Sequence, residues 1–109
     1  MKNFFEVDCV EEFEVGDYIV EWDDEKNQKN FKKHKIYFED AARIFLDDNR
    51  IEDYDEFHSD DEERIKVIGR VDEILFVIYT ERGEKCRLIS ARYANRKEID
   101  EYYGQYSYL

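Results

Sequence analysis

The run ILFVIY, residues 74–79, is the longest uninterrupted apolar stretch in a chain of which 42% is charged. Six apolar residues in a row cannot alternate between a core and water. The segment is therefore expected to be a central strand, buried on both faces. The rest of the chain has to be arranged around it. Strands are expected over 64–71 (RIKVIGRV), 73–80 (EILFVIYT) and 86–93 (CRLISARY). Between the last two, ERGEK reads as a hairpin loop in which Gly83 supplies a positive φ. A weaker strand, interrupted by acids, is expected over 50–57. These segments make an antiparallel meander of about four strands.

Upstream, residues 4–9 (FFEVDC) and 18–22 (YIVEW) read as short strands, with Gly16-Asp17 between them as a turn signal. Asp23 or Asp24 can cap a helix running through EKNQKNFKKH, with acids at its positive end and lysines toward its negative end. Phe31 is its only large apolar residue, so the helix is expected on the surface with most lysines facing water or a ligand. Phe38, Ala41, Ala42, Phe45 and Leu46 recur at i, i+3, i+4, i+7 and i+8, which predicts a second helix over 39–46 with one buried stripe. Asn95 and Glu98 have the spacing of a capping box and open a helix over 95–103, which buries Ile99 and a tyrosine and stops at Gly104. The fold class expected is α+β: two N-terminal helices, the four-stranded sheet, a C-terminal helix and an N-terminal strand extension.

At 109 residues, without proline, linker or repeat, the chain reads as a single domain over 1–109, with residues 1–17 as an acidic N-terminal extension. No apolar run is long enough to cross a bilayer, and no signal-peptide pattern opens the chain. Cys9 and Cys86 lie far apart and form no metal-type spacing, which suggests reduced thiols and a cytoplasmic location. The formal net charge of −12 argues against a nucleic-acid partner, but the charge is not evenly spread. Residues 26–37 hold five lysines and no acid, and residues 64–97 hold nine bases and four acids. The positive charge thus sits in two blocks, readable either as binding surface or as solvated faces beside acidic neighbours.

Three groups of residues could do chemistry. Lys26, Asn30, Lys33 and His34 fall along one face of the first helix. His34 could move protons near neutral pH, with the lysines lowering its pKa; the plainer reading is an exposed histidine among lysines. In CRLISARY, strict alternation puts Ser90 and Arg92 on one face and Arg87, Ile89 and Ala91 on the other, where an arginine fork could take a phosphate or an acid. Glu62, Glu63 and Arg64 form the third group, which on its own is an ion pair. His58, Ser59, Asp60 and Asp61 offer metal-binding atoms without a recognised pattern, and no metal or cofactor is expected. There is no Gly-rich phosphate loop and no GxSxG elbow.

Taken in order, these pieces resemble the BrnT family of toxins from type II toxin–antitoxin systems. The resemblance runs from about Tyr18 to Tyr103. It rests on EWD at 21–23, Lys26, Asn30, KH at 33–34, FEDA at 38–41, Phe45, Asp47 and EER at 62–64. It continues through Ile68-Gly69, VIYTER at 77–82, RLISARYA at 87–94 and Glu98. It implies a compact RelE-like fold, ribonuclease activity that stops translation, and neutralisation by a ribbon-helix-helix antitoxin through which the complex contacts DNA. It also marks Lys33, His34, Arg64 and Arg92 as site positions. The expected chemistry is metal-independent: a ribose 2′-OH attacks the neighbouring phosphate, Arg64, Arg92 and Lys33 stabilise the charge, and His34 or Glu63 moves protons. Lys26, Asn30, Arg87 and Ser90 are expected to bind RNA. Two departures stand out: Lys35 replaces the usual glycine after KH, and Tyr37 replaces the usual serine opening the next helix. The alternative function is a non-catalytic protein that binds a basic partner through its acidic segments; a nucleic-acid mimic ranks below it.

Overall fold

The structure, a computed structural model, describes residues 10–55 and 62–105. The strand expected over 4–9, Cys9 and the His58–Asp61 group lie outside the described residues. Ten elements follow in order: strands β1 (Val10–Val15) and β2 (Tyr18–Asp23), helices α1 (Asp24–His34) and α2 (Phe38–Ala41), and a 3-10 turn at Ala42–Leu46. Then come strands β3 (Ile51–Tyr54), β4 (Arg64–Val71), β5 (Glu73–Arg82) and β6 (Lys85–Tyr93), and helix α3 (Arg96–Gly104).

The strands form one six-stranded sheet in the order β1-β2-β6-β5-β4-β3. This corrects the expected four-stranded antiparallel sheet, because the N-terminal hairpin joins the sheet and β2 runs parallel to β6. The described chain also opens on that hairpin rather than on two helices. Parallel pairing requires a crossover, and α1 begins it by leading the chain off the end of β2. β1 was hidden in the sequence because VEEFEV reads as acidic and its burial is slight. Pairing across the Gly16-Asp17 turn makes it a strand.

Residues of β4, β5, β6 and β2 that share one face build the main core, which includes Val67, Val77, Leu88, Val20 and Trp22. Phe38, Ala41, Ala42, Ile44 and Phe45 cover that face from α2 and the 3-10 turn. Each large side chain buried there contributes about 1.5–3 kcal/mol relative to exposure. The expected stripe over 38–46 fails at one end: Leu46 is 57% exposed and Ile44 is fully buried. The cause is rewinding. Three residues per turn after Ala41 bring residue 44 under residue 41, where a continuous α-helix would have brought 45 and 46. Ile44 then lies so close to β4 that a Cβ on Gly69 would stand 2.5 Å from it, so only glycine fits there. On the opposite face α3 buries Tyr102 against Ile68 and Ile74, with Ile99 and Phe76 beside them.

The two departures at the α1–α2 link are resolved by neighbouring residues. Lys35 takes the left-handed conformation (φ 64°), and its N–H bonds the Phe31 carbonyl at 2.8 Å, so the turn expected of glycine forms with lysine. Tyr37 supplies no side-chain cap to α2. Instead Asn27 of α1 accepts the orphan Phe38 N–H at 2.7 Å and donates to Glu39 at 2.8 Å. The Tyr37 ring stacks on Phe31 with centroids 3.9 Å apart.

Candidate functional site

The geometry of β6 decides which side chains meet. Register along β5–β6 shifts between Ile78 and Tyr79: Tyr79 faces Leu88, whereas Ile78 faces Ser90. Ile89 is thus an extra residue, a bulge, and burial passes from Cys86 and Leu88 to Ala91 rather than continuing at every second position. The strict alternation expected of CRLISARY is corrected accordingly. Arg87, Ser90 and Arg92 all project from the face opposite the main core, across from Thr80, Ile78 and Phe76. Arg64 and Lys66 of β4 join them in the same rows.

α1 is held beside β6 by a polar contact. β2 pairs with β6 only from Lys85 to Arg87, because the chain then turns into α1. Beyond that point the backbone edge of β6 would lack a partner. Asn30 fills the gap: its Oδ1 accepts from Ala91 N–H at 3.1 Å, and its Nδ2 donates to Ala91 O and Ile36 O at 2.9 Å each. Asn30 is 7% exposed and its amide is committed to the fold, so it does not share an exposed binding face with the lysines. Asn27 is buried as well. A helix with one large apolar residue is thus anchored by two asparagines, a use that hydrophobic periodicity cannot reveal.

With Asn30 fixed, the residues one turn to either side are fixed too. Lys26 enters a cleft of about 350 Å³ with Arg64, Arg82, Arg87, Glu62, Leu88 and Ile89. His34 reaches the other end, near Arg92. Lys26 and His34 are eight residues apart, about 12 Å along the axis. Two cationic regions result. In the cleft, Glu62 binds Arg82 through both oxygens at 2.6 and 2.9 Å, and Arg87 binds Glu21 at 3.0 Å. The Arg82 hydrogen bonds, with the Arg87 and Arg64 charges, hold the Glu62 carboxyl below its ordinary range. At the other end, partial burial, then the charges of Lys33 and Arg92, lower the His34 pKa below 6.5, so the imidazole is neutral at pH 7. Arg92 lies over the Phe76 ring at 4.1 Å, and its fork is held by both oxygens of Glu98 at 2.9 Å each.

Arg64 and Arg92, expected to grip one phosphate, point to different ends of this face: Arg64 into the cleft, Arg92 toward α3. Four residues along the strand and two strands across separate their backbones by about 16 Å. Glu63 is exposed at the start of β4, and its carbonyl accepts the Thr80 hydroxyl at 2.9 Å. Lys33 is exposed and Ser90 half-buried. Arg82 and Glu98 were not singled out as site residues in the sequence; each stands inside a matched segment, but their pairings are tertiary. Among the described residues no group of three or more His, Cys, Asp or Glu side chains converges as a metal site, and no helix is long and apolar enough to cross a membrane. The Cys86 thiol is buried, which pushes its pKa up to about 11.

A family model described as "Ribonuclease toxin, BrnT, of type II toxin-antitoxin system" matches residues 22–98. Among solved structures, the ribonuclease toxin BrnT of Brucella abortus is similar at 29% identity and a TM-score of 0.52. The match covers 69% of this chain and 94% of that one. No curated protein sequence matches.

Proposed function

Since the chain belongs to the BrnT family, ribonuclease toxins of type II toxin–antitoxin systems, we propose that it cuts RNA without a metal ion on the basic face of its sheet. The observation that carries this reading is the seating of α1 beside β6, with Lys26 at the Arg64–Arg82–Arg87 cleft and His34 near Arg92. Two cationic regions about 12 Å apart along α1 suit a strand with several phosphates better than a single anion. The cleft cations and Ser90 hold flanking phosphates, and the scissile phosphate lies by His34.

In this mechanism the neutral His34 takes the proton of a ribose 2′-OH. The 2′-oxygen bonds to the adjoining phosphorus, and the bond from phosphorus to the 5′-oxygen breaks. That oxygen leaves with a proton drawn from water, giving a 2′,3′-cyclic phosphate and a 5′-hydroxyl. Lys33 and Arg92 stabilise the charge on the phosphorus oxygens, Arg92 by exchanging Glu98 for phosphate. Glu63 stands at the cleft end and takes no part in the proton transfers. The cut halts translation. A type II system supplies an antitoxin, proposed here to be a ribbon-helix-helix protein that carries the DNA contact of the complex.

Expression of the wild type, His34→Ala and Arg87→Ala in a bacterial host tests the reading. Wild type should slow growth and, purified, cut RNA to cyclic-phosphate ends in the presence of a chelator. Both variants should lose most of that activity. A wild type that neither slows growth nor cuts RNA overturns the assignment, and cutting abolished by chelator overturns metal independence.

A further inference from the structure

The basic face does not end at β6; it continues into carboxylates. Register places Glu12 of β1, Glu21 of β2, Arg87 of β6, Thr80 of β5 and Arg64 of β4 in one row across five strands, all on one side of the sheet. Along this row the sign changes between Glu21 and Arg87. The two halves are joined by ion pairs: Glu21 holds Arg87 at 3.0 Å, and Glu12 holds Lys85 at 2.5 Å. Glu21 is 7% exposed, so its charge is directed at Arg87 more than at water. Glu12 belongs to a strand that lies wholly before the family match, which begins at residue 22. That strand is a packed part of the sheet, with Phe13 stacked on Trp22 at 5.0 Å.

We infer that β1 is an affinity-setting part of the RNA-binding surface, its Glu12 carboxylate competing with RNA phosphates for Lys85 at the border of the cleft. The inference rests on the cleft being a phosphate site, and adds a determinant the family match does not contain. A carboxylate and a phosphate are alternative partners for the same ammonium. Each cation already held by an acid releases fewer counterions when a strand binds, and contributes less to the salt dependence of binding. A chain of net charge −12 thereby keeps a basic face whose hold on any polyanion is limited by its own N-terminal strand.

The test compares Glu12→Gln with Glu11→Gln. Both remove one negative charge from exposed positions of β1, but successive residues of a strand face opposite ways, so only Glu12 shares the face of the cleft. The probe is a labelled single-stranded oligodeoxyuridylate, which has the phosphates but no 2′-OH and cannot be cut. Binding is measured from low to moderate salt. Glu12→Gln should bind about three- to tenfold more tightly at low salt, with a salt slope steeper by about 0.7. Glu11→Gln should leave the slope unchanged. Equal gains in the two variants, or none in Glu12→Gln while the wild type binds, overturn the inference and leave the nuclease reading intact. If no form binds the probe or cuts RNA, both fall.

Discussion

Lys35 and His34 are adjacent, and tertiary structure treats them in opposite ways. Lys35 keeps a left-handed backbone at a cost of about 1–2 kcal/mol relative to a relaxed conformation, because the helix needs that turn to end. His34 keeps an ordinary helical backbone but an altered proton affinity. Burial and the charges of Lys33 and Arg92 disfavour its protonated form. As the proposed base, His34 must be deprotonated to act, so activity should fall as pH drops through its pKa, with the midpoint of that acid limb below the ordinary histidine value of 6.5. Removing one repelling charge in Lys33→Ala should move the limb to higher pH while lowering the plateau. The pH profile of kcat/KM on RNA measures both effects, and an unchanged limb in His34→Ala would assign it to another group.

At the scale of elements, the site depends on how α1 is attached to the sheet. Asn30 replaces a missing neighbour strand at Ala91, and Asn27 replaces a missing cap on α2. Asn30→Ala should leave the buried Ala91 N–H and C=O without these partners and destabilise the protein by about 1–3 kcal/mol. The same change should lower RNA cleavage beyond the loss of folded protein, because Lys26 and His34 are positioned by that contact. Urea unfolding and cleavage at matched folded fraction separate the two effects. Activity that merely tracks the folded fraction would make Asn30 structural only. The bulge at Ile89 acts similarly within β6, bringing Arg87 onto the face of Ser90 and Arg92.

Across the whole molecule, Asp47 joins parts distant in sequence. Its carboxylate accepts the Tyr102 hydroxyl of α3 at 2.6 Å, the Arg70 N–H of β4 at 2.8 Å and the Asn49 N–H at 2.9 Å. Partial burial pushes its pKa up, but the Tyr102 and backbone hydrogen bonds, with Arg50, more than offset this and hold it below 3.8. A depressed carboxylate contributes stability above its unfolded pKa and loses it as pH falls through the folded value. Asp47→Asn should therefore be less stable by about 1–2 kcal/mol at pH 7, with the gap closing at acid pH. Denaturant unfolding at pH 7 and near pH 3 reads both; a gap that persists in acid would assign the loss to shape rather than charge.

Sequence alone determined the features that local physics controls. ILFVIY read as a central strand, Asp23 or Asp24 and the Asn95–Glu98 box as helix starts, and Gly83 as a hairpin turn, and each of these elements forms, with Asp23 as the first cap. The ordered motifs also pointed to the family, and two separate basic blocks to cationic surfaces. Tertiary structure decided what depends on partners far along the chain. It recruited an acidic segment as β1, rewound the second helix into a 3-10 turn, inserted a bulge into β6 and buried Asn30 where a ligand contact was expected. These outcomes share one physical reason. Periodicity reports which residues prefer water, but an unpaired strand edge or an orphan helix N–H must be satisfied by whichever group the fold brings near. In this chain that requirement, more than hydrophobicity, sets where Lys26, His34 and Arg87 stand relative to one another.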